Sequence, residues 1–112
     1  MKTLRSEKQL GKILPNIATL LERNVKLFGE HVALKEKRNG IYAEITWNEL
    51  FKNVLNIAAN LRRYGFKEGE KMIIYSPNRL EMLEMELAVM ATGGVSVPIF
   101  AYFYKDTAEL LI

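Results

Sequence analysis

From Met72 to Pro98 the chain runs through a short apolar stretch, a break, a helical pattern, two glycines and a second apolar stretch. That order limits the possible folds more than any other part of the sequence. Met72-Ile73-Ile74-Tyr75 is short and continuously apolar, as a strand covered on both faces would be. Ser76-Pro77-Asn78 breaks it. A helix is expected over about 79–92, and its second half, Leu87-Ala88-Val89-Met90-Ala91, is apolar nearly all round, which predicts burial. Gly93-Gly94 stops that helix, and Val95-Ser96-Val97 resumes as a strand that Pro98 must end or confine to a sheet edge. Strand, helix and strand within about thirty residues make a βαβ unit (about 71–98), and such crossovers join parallel strands.

Upstream, the period changes. Pro15 and Asn16 open a helix through about Phe28, with Ile17, Leu20, Leu21, Val25 and Phe28 on one face and Gly29 ending it. Val32-Ala33-Leu34-Lys35 and Ile41-Tyr42-Ala43-Glu44-Ile45 have period-two character and are separated by Arg38-Asn39-Gly40. Asn-Gly is the strongest short hairpin signal, so an antiparallel β-hairpin is expected over about 31–46. Thr46-Trp47-Asn48-Glu49 reads as a capping box. The helix after it carries Trp47, Leu50, Phe51, Val54, Ile57, Ala58 and Leu61 at spacings of three and four, and Gly65 is its expected stop. The fold class is α/β: an incomplete layered unit of hairpin and parallel βαβ, with helices packed on the sheet.

At the far end Asp106 reads as an N-cap, with Glu109 completing an acidic capping box. Leu110, Leu111 and Ile112 follow without a stop signal. The sequence therefore reads as the opening segment of a longer chain, with a basic N-terminal arm (1–14) ahead of a truncated domain (15–112).

Composition removes several functions. With 49% apolar and 26% charged residues, the chain is an ordinary globular one. Its 112 residues give room for one small domain. It has no cysteine, so disulfides, Cys-based zinc sites and thiol catalysis are excluded, and His31 is its single histidine. No stretch approaches the ~20 apolar residues of a membrane span, and no signal-peptide core is present, so a cytoplasmic protein is the default. Much of the net charge of +3 comes from Lys2, Arg5, Lys8 and Lys12. Such an arm can touch phosphate or anionic lipid; a solvated, frayed terminus is the plainer reading. The charges form no stripe interleaved with aromatics, which argues against a nucleic-acid binder.

Each candidate site has a structural explanation. Ser76-Pro77-Asn78-Arg79 lies where a parallel strand delivers its end to a helix N-terminus, a place where phosphates gather. It has no glycine-rich cradle, and Ser76 or Asn78 capping the helix with Pro77 in its first turn accounts for it. Gly93-Gly94 reads as a helix stop and His31 as a structural residue opening a strand. Glu81, Glu84 and Glu86 read as dipole complement and solvated face, not an acid–base pair. Tyr102, Phe103 and Tyr104 read as packing against further chain, with a ligand tunnel as the alternative. No catalytic, cofactor-binding or metal-ligating residue is assigned.

Ile45-Thr46-Trp47-Asn48-Glu49-Leu50 resembles the first core motif of adenylate-forming (AMP-binding) enzymes, and 90–99, running through Gly93-Gly94 to Val97-Pro98, resembles the second. Gly65-Phe66-Lys67-Glu68-Gly69-Glu70-Lys71-Met72 is similar to the family's Gly-x-x-x-Gly-Asp-x-Val turn, and Ser76-Pro77-Asn78 to the break after its next strand. Leu21-Glu22-Arg23-Asn24 and Val32-Ala33-Leu34 fit the long-chain acyl-CoA ligase branch. The resemblance, over about 15–112, implies the N-terminal part of the large domain of a long-chain fatty acid-CoA ligase. Such an enzyme uses ATP and Mg²⁺ to make an acyl-adenylate and passes the acyl group to coenzyme A. Its phosphate loop and catalytic lysine lie in later motifs, so the piece alone is expected to be inactive and to bind no cofactor. Its expected partners are the rest of the longer chain, through which the fatty acid would bind, and a second copy of itself. Phe100, Tyr102, Phe103, Leu110, Leu111 and Ile112 are expected to form the exposed patch that drives self-association. The alternative is a stand-alone α/β interaction module, possibly dimeric.

Overall fold

The side-chain oxygen of Asn16 accepts the Thr19 backbone N–H at 2.8 Å and so opens α1 (Ile17–Phe28). This computed structural model describes residues 2–112, except for the Phe100 side chain; that member of the expected patch lies outside the described residues. Residues 2–16 contain no helix or strand. Gly29 ends α1 as its C-cap, as expected, and stays right-handed (φ −44°). Its small size allows a close approach instead: a Cβ there would lie 2.5 Å from Asn48 Oδ1. The Asn48 N–H donates to the Gly29 carbonyl at 2.9 Å, which ties the end of α1 to the start of the next helix.

β1 (Val32–Arg38) and β2 (Ile41–Thr46) pair antiparallel. Asn39 and Gly40 join them with φ of 50° and 79°, the paired positive values that a two-residue turn between twisted strands requires. Thr46 then caps α2 (Trp47–Arg63): its hydroxyl accepts the Glu49 N–H at 3.2 Å, and Glu49 takes the Thr46 N–H at 2.8 Å. At the other end Gly65 turns left-handed. The Gly65 and Phe66 N–H groups donate to Arg62 and Leu61 carbonyls at 3.0 and 2.9 Å, a Schellman stop. Leu50, Val54 and Ala58 of α2 are buried and meet Leu21 of α1 and Ala88, further along the chain, in the core.

The parallel crossover is β3 (Lys71–Ser76), α3 (Leu80–Ala91) and β4 (Val95–Phe100), in register from Lys71 opposite Val95 to Ser76 opposite Phe100. Pro98 sits within β4 opposite Ile74, and among the described residues β4 pairs only with β3, so the proline occupies an edge strand. α3 ends as α2 does, with Gly94 donating to the Val89 carbonyl at 3.0 Å. The two hairpin strands and the two crossover strands form separate sheets. β3 is not covered on both faces. Ile74 is buried, but Ile73 and Tyr75 on the opposite face are 41% and 50% exposed, while α3 packs against both β3 and β4. Within α3, Ala88 and Val89 are fully buried while Met90 is exposed.

α4 (Lys105–Leu111) starts two residues earlier than an N-cap at Asp106 would place it. Tyr104 is the N-cap, because the Ala108 N–H already donates to the Tyr104 carbonyl at 3.0 Å. Asp106 therefore lies in the first turn, where its charge complements the helix dipole without capping it. Where α1, β1, α2 and α3 meet, an apolar cavity of about 190 Å³ remains, walled in part by Ile17, Leu21, Leu34, Trp47, Leu50 and Leu87.

Candidate functional site

The loop from β3 to α3 is where a ligand would be sought in an open α/β sheet. Neither Ser76 nor Asn78 caps α3: the N-cap position is Arg79, which makes no side-chain capping bond, and Pro77 lies outside the helix. The Ser76 hydroxyl donates to the Pro77 carbonyl at 2.9 Å. The cap comes from the hairpin instead. Glu36 of β1 offers Oε1 to the Leu80 N–H at 3.1 Å, while its Oε2 accepts from Arg38 Nε at 2.5 Å. Arg38 Nη2 donates to Glu81 Oε1 at 2.6 Å, and Arg79 Nε donates to Glu81 Oε2 at 3.0 Å.

These bonds set the electrostatics. The hydrogen bond from Arg38, then that from the Leu80 N–H, holds the Glu36 carboxyl below its usual 4.5. Arg79 and Arg38 hold Glu81 down to about 2. The two carboxylates in turn push the Arg38 guanidinium up. Because the side chains are from 23% to 51% exposed, water and salt screen the pairs, and their role is chiefly geometric. They fix the hairpin against the first turn of α3. The arrangement does not fit a nucleotide phosphate. The helix's first donor is already filled by a carboxylate, and a phosphate placed there would face Glu36 and Glu81.

The other candidates are dispersed. Glu84 is not on a solvated face: it is 7% exposed and accepts from Asn53 Nδ2 of α2 at 2.8 Å. Helix packing puts an amide opposite it, so a buried carboxylate finds a partner. His31 is exposed, its ring set edge-on to Phe28 at 6.0 Å, and its backbone carbonyl accepts the Trp47 N–H at 3.1 Å. Gly93 and Gly94 stop α3 and admit the turn before β3, where a Cβ on Gly94 would lie 2.5 Å from the Phe66 ring. Tyr102 and Tyr104 are 84% and 87% exposed. The Phe103 carbonyl accepts from the Tyr75 hydroxyl at 3.2 Å. No group of three or more His, Cys, Asp or Glu placed to hold a metal exists among the described residues. Glu36 and Asn53 were missed in the sequence. Glu36 carried a signal, since it stands two residues after Leu34 and so shares the inward face of β1.

The chain belongs to the AMP-binding enzyme family, whose sequence model matches residues 21–112. It is 34% identical over 96 residues to the acetyl-coenzyme A synthetase of Bartonella quintana (strain Toulouse), which covers 83% of this chain and 15% of that protein. To the acetyl-coenzyme A synthetase of Brucella canis it is 33% identical over 88 residues, 77% of this chain and 14% of that protein. The chain thus spans about a seventh of the length of these relatives. Among solved structures it is similar to the Klebsiella oxytoca NpsA N-terminal subdomain, with a TM-score of 0.78 at 23% identity over 86% of this chain and 24% of that one. The fatty acid AMP ligase from Legionella pneumophila gives 0.79 at 17% identity over 86% of this chain and 17% of that one. At those identities the likeness is one of fold.

Proposed function

We propose that this chain forms the N-terminal part (15–112, after the arm of 1–14) of the large domain of an ATP-dependent, AMP-forming acid–thiol ligase. Such an enzyme works in the cytoplasm, activates a carboxylate as acyl-adenylate and transfers it to coenzyme A. AMP leaves far more readily than hydroxide, so two easier steps replace a hard one. The carrying observation is the family match over residues 21–112, which includes both the capping box and the Gly93-to-Pro98 segment. The proposed acyl group is a long-chain fatty acid, supported by Leu21-Glu22-Arg23-Asn24 and Val32-Ala33-Leu34. Acetate is the second reading, favoured by the acetyl-coenzyme A synthetases among the relatives. This segment's part is scaffolding. ATP, Mg²⁺ and coenzyme A are left to residues outside it, because the β3–α3 junction is occupied by Glu36 and offers no lysine to a transferring phosphoryl group.

The test has two parts. The chain joined to the remainder of its reading frame is expected to release pyrophosphate from ATP with palmitate, or with acetate on the second reading. No carboxylate-dependent release would overturn the ligase reading. Titration of the 112-residue chain alone with Mg-ATP is expected to be silent, and micromolar binding would overturn the scaffolding role.

A further inference from the structure

The charge of this chain is unevenly placed. Lys2, Arg5, Lys8 and Lys12 with Glu7 make up the charge of the arm, and from totals of 16 and 13 they leave twelve of each sign elsewhere. The whole net charge of +3 therefore resides in residues 1–14. The same segment holds the most exposed aliphatic side chains ahead of α1: Leu4, Leu10 and Ile13 are 97%, 88% and 81% exposed. Placed at about 100° per residue, Leu10, Ile13 and Leu14 fall within an arc of about 100°, with Leu4 outside it. Arg5, Lys8 and Lys12 fall within about 60° on the opposite side.

We infer that the arm docks on an anionic lipid surface as a basic amphipathic segment, helical over about residues 4–14 when bound. In water such a helix is too short to hold, which agrees with the absence of helix in residues 2–16. Pro15 limits it, since the residue before a proline is driven from the helical region. A lipid surface satisfies both faces at once: headgroup phosphates and carboxylates take the cations, and the acyl boundary takes Leu10 and Ile13. A nucleic acid satisfies only the cations, because the arm has no aromatic side chain on which a base could stack.

The experiment is flotation of the 112-residue chain with vesicles of phosphatidylcholine, alone or mixed with phosphatidylserine. Circular dichroism is recorded on the same samples. Binding to the mixed vesicles with a gain of helix, and little binding to phosphatidylcholine, is expected. Lys8→Gln with Lys12→Gln should weaken it about 25-fold, at about fivefold per cation. Leu10→Ser with Ile13→Ser leaves the charge unchanged and should also abolish the helix gain. Equal binding to both vesicle types would overturn the inference. So would unchanged binding of the serine variant, which would reduce the contact to phosphate alone. Tighter binding to a single-stranded oligonucleotide than to the mixed vesicles would overturn it in favour of a nucleic acid. These positions lie outside the folded core, so a native dichroism spectrum without vesicles shows that each variant folds.

Discussion

At Glu36 one carboxylate supplies the cap that α3 lacks in its own sequence, and Glu81 beside it closes the network with two arginines. Both carboxyls are held below their ordinary value of 4.5, Glu81 at about 2. Because the folded pKa lies below the unfolded one, their contribution to stability is fully present above 4.5 and declines as pH falls below it, that of Glu81 being lost as pH passes through about 2. Urea midpoints measured along that window should decline less steeply for Glu81→Gln than for the parent chain; identical slopes would show the pairs to be inert. Thr46 allows a simpler measurement. Thr46→Ala removes one of the two reciprocal bonds of the capping box and should cost about 1 kcal/mol, read as a shifted denaturation midpoint.

Among the elements, the ends of α2 and α3 interlock. Each stops at a left-handed glycine, and Phe66, just beyond α2, lies where a Cβ on Gly94 would stand. Gly94→Ala should therefore destabilise by about 1–3 kcal/mol, the cost of an extra methyl in a filled space. A midpoint equal to that of the parent would mean that the Phe66 ring moves aside freely. These stops were legible because glycine position and helix period are local properties. So were the hairpin, from Asn39-Gly40, and α2, from Thr46 and Glu49. The cap of α3 was not, because its acceptor lies 44 residues upstream and Ser76 and Asn78 were plausible nearer ones. Glu84 was misread for the same reason: a helix pattern shows which face a residue shares but not that α2 brings Asn53 to it. Asp106 was placed from capping preference alone, whereas the chain enters α4 from Tyr104.

For the whole molecule, surface is the outstanding quantity. A folded chain of 12.9 kDa usually exposes about 6,300 Å², and this one exposes 9,250 Å². Its radius of gyration of 17.0 Å likewise exceeds the ~13 Å usual for this length. Part of the excess is the extended arm. The rest includes the open face of β3 and the aromatic and aliphatic side chains from Tyr102 onward. The excess is larger than the ~800 Å² that one partner buries in a standard interface. Self-association of the isolated chain is therefore expected. Light scattering after size exclusion is the check, and a clean monomer at high micromolar concentration would refute it.

The cavity between α1, β1, α2 and α3 also gives the molecule an optical reporter. Trp47, the single tryptophan, forms part of its wall and is half-buried, so one indole reads the contact of four elements. Anything that fills those 190 Å³ with apolar atoms takes water from the ring, and the emission moves to shorter wavelength. A polypeptide extended beyond Ile112 should emit further to the blue than this chain only where the added residues seal that wall. Emission spectra of successively longer chains, with any added tryptophan replaced by phenylalanine, would thus reveal, without any label, the length at which the first layer of the domain closes.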